Sequence, residues 1–300
     1  MTILIAGATG ALGGAIARKL LTAGVPVRAL GRNTEKLAAL ALLGADTVQC
    51  DLLDAAAVDR ACDGVDQICS TANNVLGRGA NSPNRVDLQA HRNLCDAAKR
   101  NGVRRIVYIS GRGVNGADTR VDFFRVKYQV EQLLTSCGIP WVILSASAFM
   151  DIWVPMIGDG IVAKNVAMIF GDGTRLCNYI AVSDVAEVAS KVLQRDDIRN
   201  EVIGVGGPST VCLNDLATLI ERELGVSAGR RRLPVAVLRW GGLALRPFHE
   251  VASRMMLLGH FAATHDTSFD DWQQTMRRFD VSPMTLETFV AAAYPRDVRP

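Results

Sequence analysis

Three hundred residues make either one large α/β domain or a domain with an appendage, and 49% hydrophobic against 21% charged residues, with only 10 prolines, exclude a disordered or fibrous chain. The 33 basic and 30 acidic residues leave a net charge of +3 spread along the sequence, short of the basic stripe that nucleic acid requires. The seven cysteines show no CxxC and no histidine at ligand spacing, so reduced thiols in a cytoplasmic protein are expected and a metal site is not.

The first 17 residues carry no charge, yet no basic segment precedes them and three glycines follow at fixed spacing, which reads as strand, turn and helix rather than as a secretory signal. Short apolar runs at 3–6, 27–30, 47–50, 67–70, 105–110 and 141–144 predict strands, and helical periods at 12–22, 35–43, 55–61, 87–101 and 122–137 lie between them. Strands this continuously apolar belong to a parallel sheet covered on both faces, so the expected fold class is α/β, a doubly wound Rossmann-type sheet. Residues 150–173, with four glycines, read as loops and short elements. A helix follows at 183–194, capped by Ser183 or Asp184, then a strand at 201–204 and helices at 213–224 and 234–245. The expected domains are a dinucleotide-binding domain over 1–150, to which 178–206 returns, and a smaller, mainly helical substrate lobe from 151–177 and 207–300. Arg230, Arg231 and Arg232 read as a solvated loop. The apolar stretch 233–248 reads as a packed lobe helix or, alternatively, a face for a partner, a membrane surface or a homodimer contact. No uncharged run reaches the ~18–20 apolar residues of a transmembrane segment.

The turn Gly7-Ala8-Thr9-Gly10-Ala11-Leu12-Gly13 follows the first strand and opens the first helix. Gly7 permits the bend, Gly10 lets a pyrophosphate approach the backbone, and Gly13 brings helix against strand, while Thr9, Ala11 and Leu12 complete a helix N-terminus that offers unpaired amides to an anion. The second strand ends in Gly31-Arg32-Asn33, without the acid that holds the ribose 2′-hydroxyl of NAD. Arg32 can fork onto the 2′-phosphate of NADP and Lys36 can add a point charge, so NADP(H) is preferred over NAD(H); a solvated turn is the alternative. Asp51 after the third strand can meet the adenine amino group while Leu52 packs on the ring, although Asp51 would serve equally as a helix N-terminal acid.

These pieces, with their order along the chain, resemble the NmrA-like group of atypical short-chain dehydrogenase/reductases. The resemblance is carried by GATGALGG at 7–14, LGRN at 30–33, CDL at 50–52, NLCDAAK at 93–99 leading to VRRIVYIS at 103–110, KYQVE at 127–131, SCGIPW at 136–141, FM at 149–150 and IAVSDVA at 180–186. It covers roughly residues 1–205 and implies a Rossmann-type NAD(P) domain with a small C-terminal lobe. Members of that group include quinone, phenylpropanoid and azo-type reductases, sensors that bind the dinucleotide without turnover, and an accessory subunit of respiratory complex I. The resemblance thus fixes the cofactor better than the reaction.

Ordinary short-chain dehydrogenases place a tyrosine four residues before a lysine, but none of the four tyrosines here has a lysine at that spacing, and position 123, four before Lys127, is Phe. Lys127 shares a helical face with Phe123, Val130 and Leu134, which would desolvate its amine. The resemblance implies that it hydrogen-bonds the nicotinamide ribose or supplies a proton; a surface pair with Glu131 is the plainer use of the same residue. Ser110, at the end of the fifth strand, can touch nicotinamide or substrate. Phe149, Met150, Trp153 and Tyr179 can wall a pocket for a flat small-molecule substrate or form core instead. The four histidines have no metal or triad spacing. The expected activity is hydride transfer from NADPH to a quinone, enone or similar electrophile, with two alternatives: a redox sensor or assembly factor without turnover, and an epimerase or isomerase that retains its dinucleotide.

Overall fold

The computed structural model describes residues 1–79, 82–114 and 121–295. In chain order the elements begin with β1 (Ile3–Ala6), α1 (Ala11–Thr22), β2 (Val27–Gly31), α2 (Thr34–Ala41), β3 (Asp46–Gln49), α3 (Ala55–Cys62), β4 (Gln67–Ser70) and α4 (Pro83–Arg100). They continue with β5 (Arg105–Gly111), α5 (Asp122–Ser136), β6 (Trp141–Ala146), α6 (Met150–Lys164), β7 (Val166–Phe170), β8 (Cys177–Asn178), α7 (Val182–Leu193) and β9 (Glu201–Val205). The last third adds β10 (Thr210–Val211), α8 (Leu213–Leu224), β11 (Gly229–Leu233), α9 (Val235–Leu245), α10 (Glu250–Thr264), α11 (Trp272–Arg278) and α12 (Leu286–Ala293).

Every residue of β1 and of β4 is buried, as strands covered on both faces must be. Seven strands form one sheet in the order β3-β2-β1-β4-β5-β6-β9, with parallel pairing from β3 through β5. The order reverses between β1 and β4, the place where an open α/β sheet leaves a crevice beyond its strand ends. Arg105 of β5 is buried and donates to Gln67 Oε1 at 2.6 and 3.0 Å and to the carbonyls of Val192 and Ile198 at 3.0 and 2.7 Å. It thereby satisfies acceptors at the end of α7 and in the segment that follows it.

The chain divides into two compact units. The first comprises the described residues of Met1–Asn115, Asp122–Ser145 and Val185–Ile203; the second comprises Val121 with the described residues of Ala146–Asp184 and Gly204–Pro300. The main run of the second unit begins at Ala146, and the return to the first spans Val185–Ile203. Within the second unit, β7 pairs in parallel with β11 and β8 pairs antiparallel with β10.

Several elements depart from the periodicity reading. Residues 150–173 are not loops: α6 and β7 occupy most of the stretch. Met150, Val154, Ile157, Gly158 and Ile161 form the buried stripe of α6, and its glycines serve close approach, since a Cβ on Gly158 would enter the Tyr294 ring and one on Gly160 would crowd the Val166 carbonyl. α4 starts a turn earlier than periodicity suggests, with Pro83 at its first turn. Ser183 and Asp184 lie inside the first turn of α7 rather than capping it, and Val182 N–H donates to Asp151 at 2.9 Å. Arg230–Arg232 are not loop but strand β11, where Arg230 forks onto Glu221 at 2.7 and 2.8 Å. All seven cysteines are free and buried. Among the described residues no helix is long and apolar enough to cross a membrane.

Candidate functional site

A groove of about 350 Å³ opens beyond the carboxyl ends of β1 to β4. Gly7, Thr9 and Gly10 line it after β1, Gly31 and Arg32 after β2, Cys50, Asp51 and Leu52 after β3, and Thr71 to Asn74 after β4. Gly7 has φ +89°, a conformation open to glycine, and a Cβ on Gly13 would fall on the Gly7 carbonyl, so α1 can pack this close to β1 only without a side chain there. Gly10 caps α1 with extended backbone and no side-chain acceptor, and the first turn carries no acid. The leading amides of α1, at Ala11, Leu12 and Gly13, therefore have no side-chain cap, an arrangement that can accept an anion.

Thr9 packs against Gly31, where a Cβ would collide with the Thr9 side chain, and this brings the turn after β1 against the end of β2. Arg32 is exposed at the groove's edge, while Lys36 lies outside the lining on α2. Asn33 caps α2 by accepting from Lys36 N–H at 2.9 Å, and Arg32 beside it lines the groove. The N-cap of α3 is Asp54, accepting from Ala57 N–H at 3.0 Å. Asp51 instead turns onto Leu53 N–H at 3.0 Å and lines the groove beside Leu52, whose carbonyl accepts from Asn93 Nδ2 at 2.8 Å.

Sequence spacing does not disclose the polar cluster at the carboxyl ends of β4 and β5. Lys127 and Glu131 are both buried and do not form the surface pair considered from their spacing. Lys127 Nζ donates to the Ile109 carbonyl at 3.0 Å and to the Tyr108 hydroxyl at 3.4 Å, and lies 5.0 Å from the Tyr108 ring centre and 5.3 Å from that of Phe123. Ser110 donates to Glu131. His91 Nδ1 lies 2.6 Å from the Asp87 carbonyl, which can only accept; Nε2 then accepts from Ser70 Oγ at 2.9 Å. Asp87 itself lines the groove and accepts from Asn74 N–H at 3.1 Å.

Burial dominates the electrostatics here. It pulls Lys127 down to about 8, against the opposing pull of the Asp87 and Glu131 carboxylates. It lowers His91 to about 4, so the ring is neutral at physiological pH, with the Asp87 carbonyl opposing and the Lys127 charge reinforcing the shift. It raises Glu131, which the Ser110 hydrogen bond and Lys127 counteract. A lysine titrating near 8 inside an apolar and aromatic surround can hold or release a proton around neutral pH.

The aromatic residues singled out in the sequence belong to the second unit. Met150 and Tyr179 are buried in its core, with Trp153 packed beside Tyr179 and Phe170 at 6.1 Å between ring centres. Phe149 and Trp153 keep partial exposure.

A family model described as NAD(P)H-binding matches residues 7–196. The chain is 31% identical over 243 residues to the (4-alkanoyl-5-oxo-2,5-dihydrofuran-3-yl)methyl phosphate reductase of Streptomyces griseus, spanning 77% of this chain and 80% of that protein. It is 27% identical over 309 residues to a photosystem II assembly factor of Cyanophora paradoxa, spanning 99% of this chain and 93% of that one. In fold it superposes on the NADPH complex of an Escherichia coli NADPH-dependent quinone oxidoreductase with a TM-score of 0.82 at 24% identity, covering 97% and 99% of the two chains.

Proposed function

Because the chain belongs to the NAD(P)H-binding family of Rossmann-type proteins, we propose that it is an NADPH-dependent reductase acting on a quinone, enone or similar flat electrophile. The observation that carries the reading is one groove that joins an uncapped helix N-terminus to Arg32, with no acid at the end of β2. The diphosphate would rest on the amides of the Gly7–Gly13 turn, the 2′-phosphate on Arg32 with Lys36 nearby, and the adenine on Asp51 and Leu52. The nicotinamide supplies the hydride when bound. The chain's own part is to orient that ring, exclude water and hold a proton at Lys127 Nζ, with Ser110 next along β5 from the Ile109 carbonyl that Nζ meets. A quinone suits a site without a Tyr-x-x-x-Lys pair, because the reduced oxygen left after hydride transfer is a much weaker base than an alkoxide and can take its one remaining proton from Lys127 or from water.

Titration of the protein with NADPH and NADH, followed by nicotinamide fluorescence, tests the cofactor, with tighter NADPH binding expected. Lys127→Ala then separates turnover from binding. Loss of turnover with unchanged NADPH affinity supports the reductase. The second reading is an NADP(H)-responsive assembly factor; the relative that matches almost the whole chain favours it. NADPH bound tightly without turnover by any acceptor would favour that reading.

A further inference from the structure

The sequence has no tyrosine one helical turn before Lys127, yet a tyrosine hydroxyl reaches the lysine from elsewhere. Tyr108 lies within β5, is 2% exposed, and accepts from Lys127 Nζ at 3.4 Å. Its ring is met edge-on by His91 of α4, with centres 5.0 Å apart and planes at 77°. That imidazole cannot turn without losing both of its hydrogen bonds, to Ser70 and to the Asp87 carbonyl. The Ile109 carbonyl supplies Nζ with a second acceptor at 3.0 Å.

We propose that Tyr108, held by His91, is the positioning residue for Lys127, forming a tyrosine–lysine couple across β5 and α5 instead of along one helix. The proposal deepens the reductase reading and rests on it for its catalytic meaning. Tyr108 acts through the lysine: a phenol oxygen that accepts from the ammonium favours the charged form and fixes where Nζ points. The titratable groups facing Nζ are Asp87 and His91 from α4, Tyr108 from β5 and Glu131 from α5. Glu131 is engaged by Ser110, Asp87 accepts from Asn74 N–H and His91 stays neutral, and the tyrosine hydroxyl is the side-chain acceptor that Nζ reaches at hydrogen-bond distance.

The chain has six lysines and four tyrosines, so both can be followed by carbon-13 NMR after selective labelling at Lys Cε and Tyr Cζ. The Lys127 signal is assigned by its loss in Lys127→Arg and should titrate with a midpoint near 8. In Tyr108→Phe, which keeps the ring but removes the hydroxyl, the midpoint should fall by about half a pH unit or more. An unmoved midpoint overturns the proposal. If that variant fails to fold, the wild-type protein decides: one tyrosine signal should step at the Lys127 midpoint, and the absence of such a step among all four overturns the proposal. Neither readout needs turnover. Failure of the wild type to oxidise NADPH with any acceptor would therefore defeat the reductase reading separately.

Discussion

Arg32 is an exposed guanidinium that lines the groove where the end of β2 meets the phosphate turn, and Thr9 seated on Gly31 fixes that junction. A charge-assisted fork onto a phosphate contributes on the order of 1.5–3 kcal/mol. Arg32→Ala should accordingly weaken NADPH binding by about tenfold or more while leaving NADH within about twofold, as read by parallel fluorescence titrations. Lys127 yields a prediction of the opposite kind. Its folded value near 8 lies below the ordinary 10.5, so the protonated lysine opposes folding at neutral pH. The stability it withholds is present in full only above 10.5 and is lost as pH falls through 8. Lys127→Met should therefore be more stable than the wild type at neutral pH, by up to about 3 kcal/mol, and the gap should close between pH 8 and 10.5 in urea melts at each pH. A site residue that costs stability where the protein works is expected of function rather than of packing.

At the scale of elements, the phosphate turn depends on one close approach. A side chain at position 13 must displace the Gly7 carbonyl, which is backbone and cannot swing aside. Gly13→Val should lower NADPH affinity at least about tenfold, measurable by the same titration, because α1 is pushed off the groove. In the second unit, Gly158→Leu should destabilise the fold by about 1–3 kcal/mol in thermal melts, since its side chain enters the space of the Tyr294 ring. These two glycines also explain what sequence reveals. Gly13 belongs to a contiguous motif, so its role can be read locally, and β1 is marked residue for residue because burial on both faces leaves an unbroken apolar run. Gly158 sits with Pro155 and Gly160 inside α6, where local propensity argues against helix; the Met150, Val154, Ile157 and Ile161 stripe is the stronger signal, because tertiary packing overrides propensity. The arginines of β11 read as solvated because their polarity hides a strand that is stabilised by pairing with β7 and by the Arg230–Glu221 fork.

For the whole molecule, the division of labour follows from how the chain distributes its motifs. The groove and the Lys127 cluster are built within the first unit, and the glycine turn there is legible from sequence because each lining residue lies a few residues from a strand end. The cluster itself is not legible, since Ser70, His91, Tyr108 and Lys127 arrive from β4, α4, β5 and α5 at spacings no local pattern encodes. A ligand bound only by the native state adds about 2.7 kcal/mol at a hundredfold excess over its dissociation constant. NADPH should thus raise the melting temperature more than NADH at equal concentration.

The measurement that bears most directly on a reductase is NADPH oxidation by the protein at saturating cofactor, followed by nicotinamide absorbance against a panel of quinones and enones, with Lys127→Ala alongside. Wild-type protein should show acceptor-dependent oxidation, faster with NADPH than with NADH and lost in the variant. Tight NADPH binding with no oxidation above the protein-free rate for any acceptor would overturn the reductase.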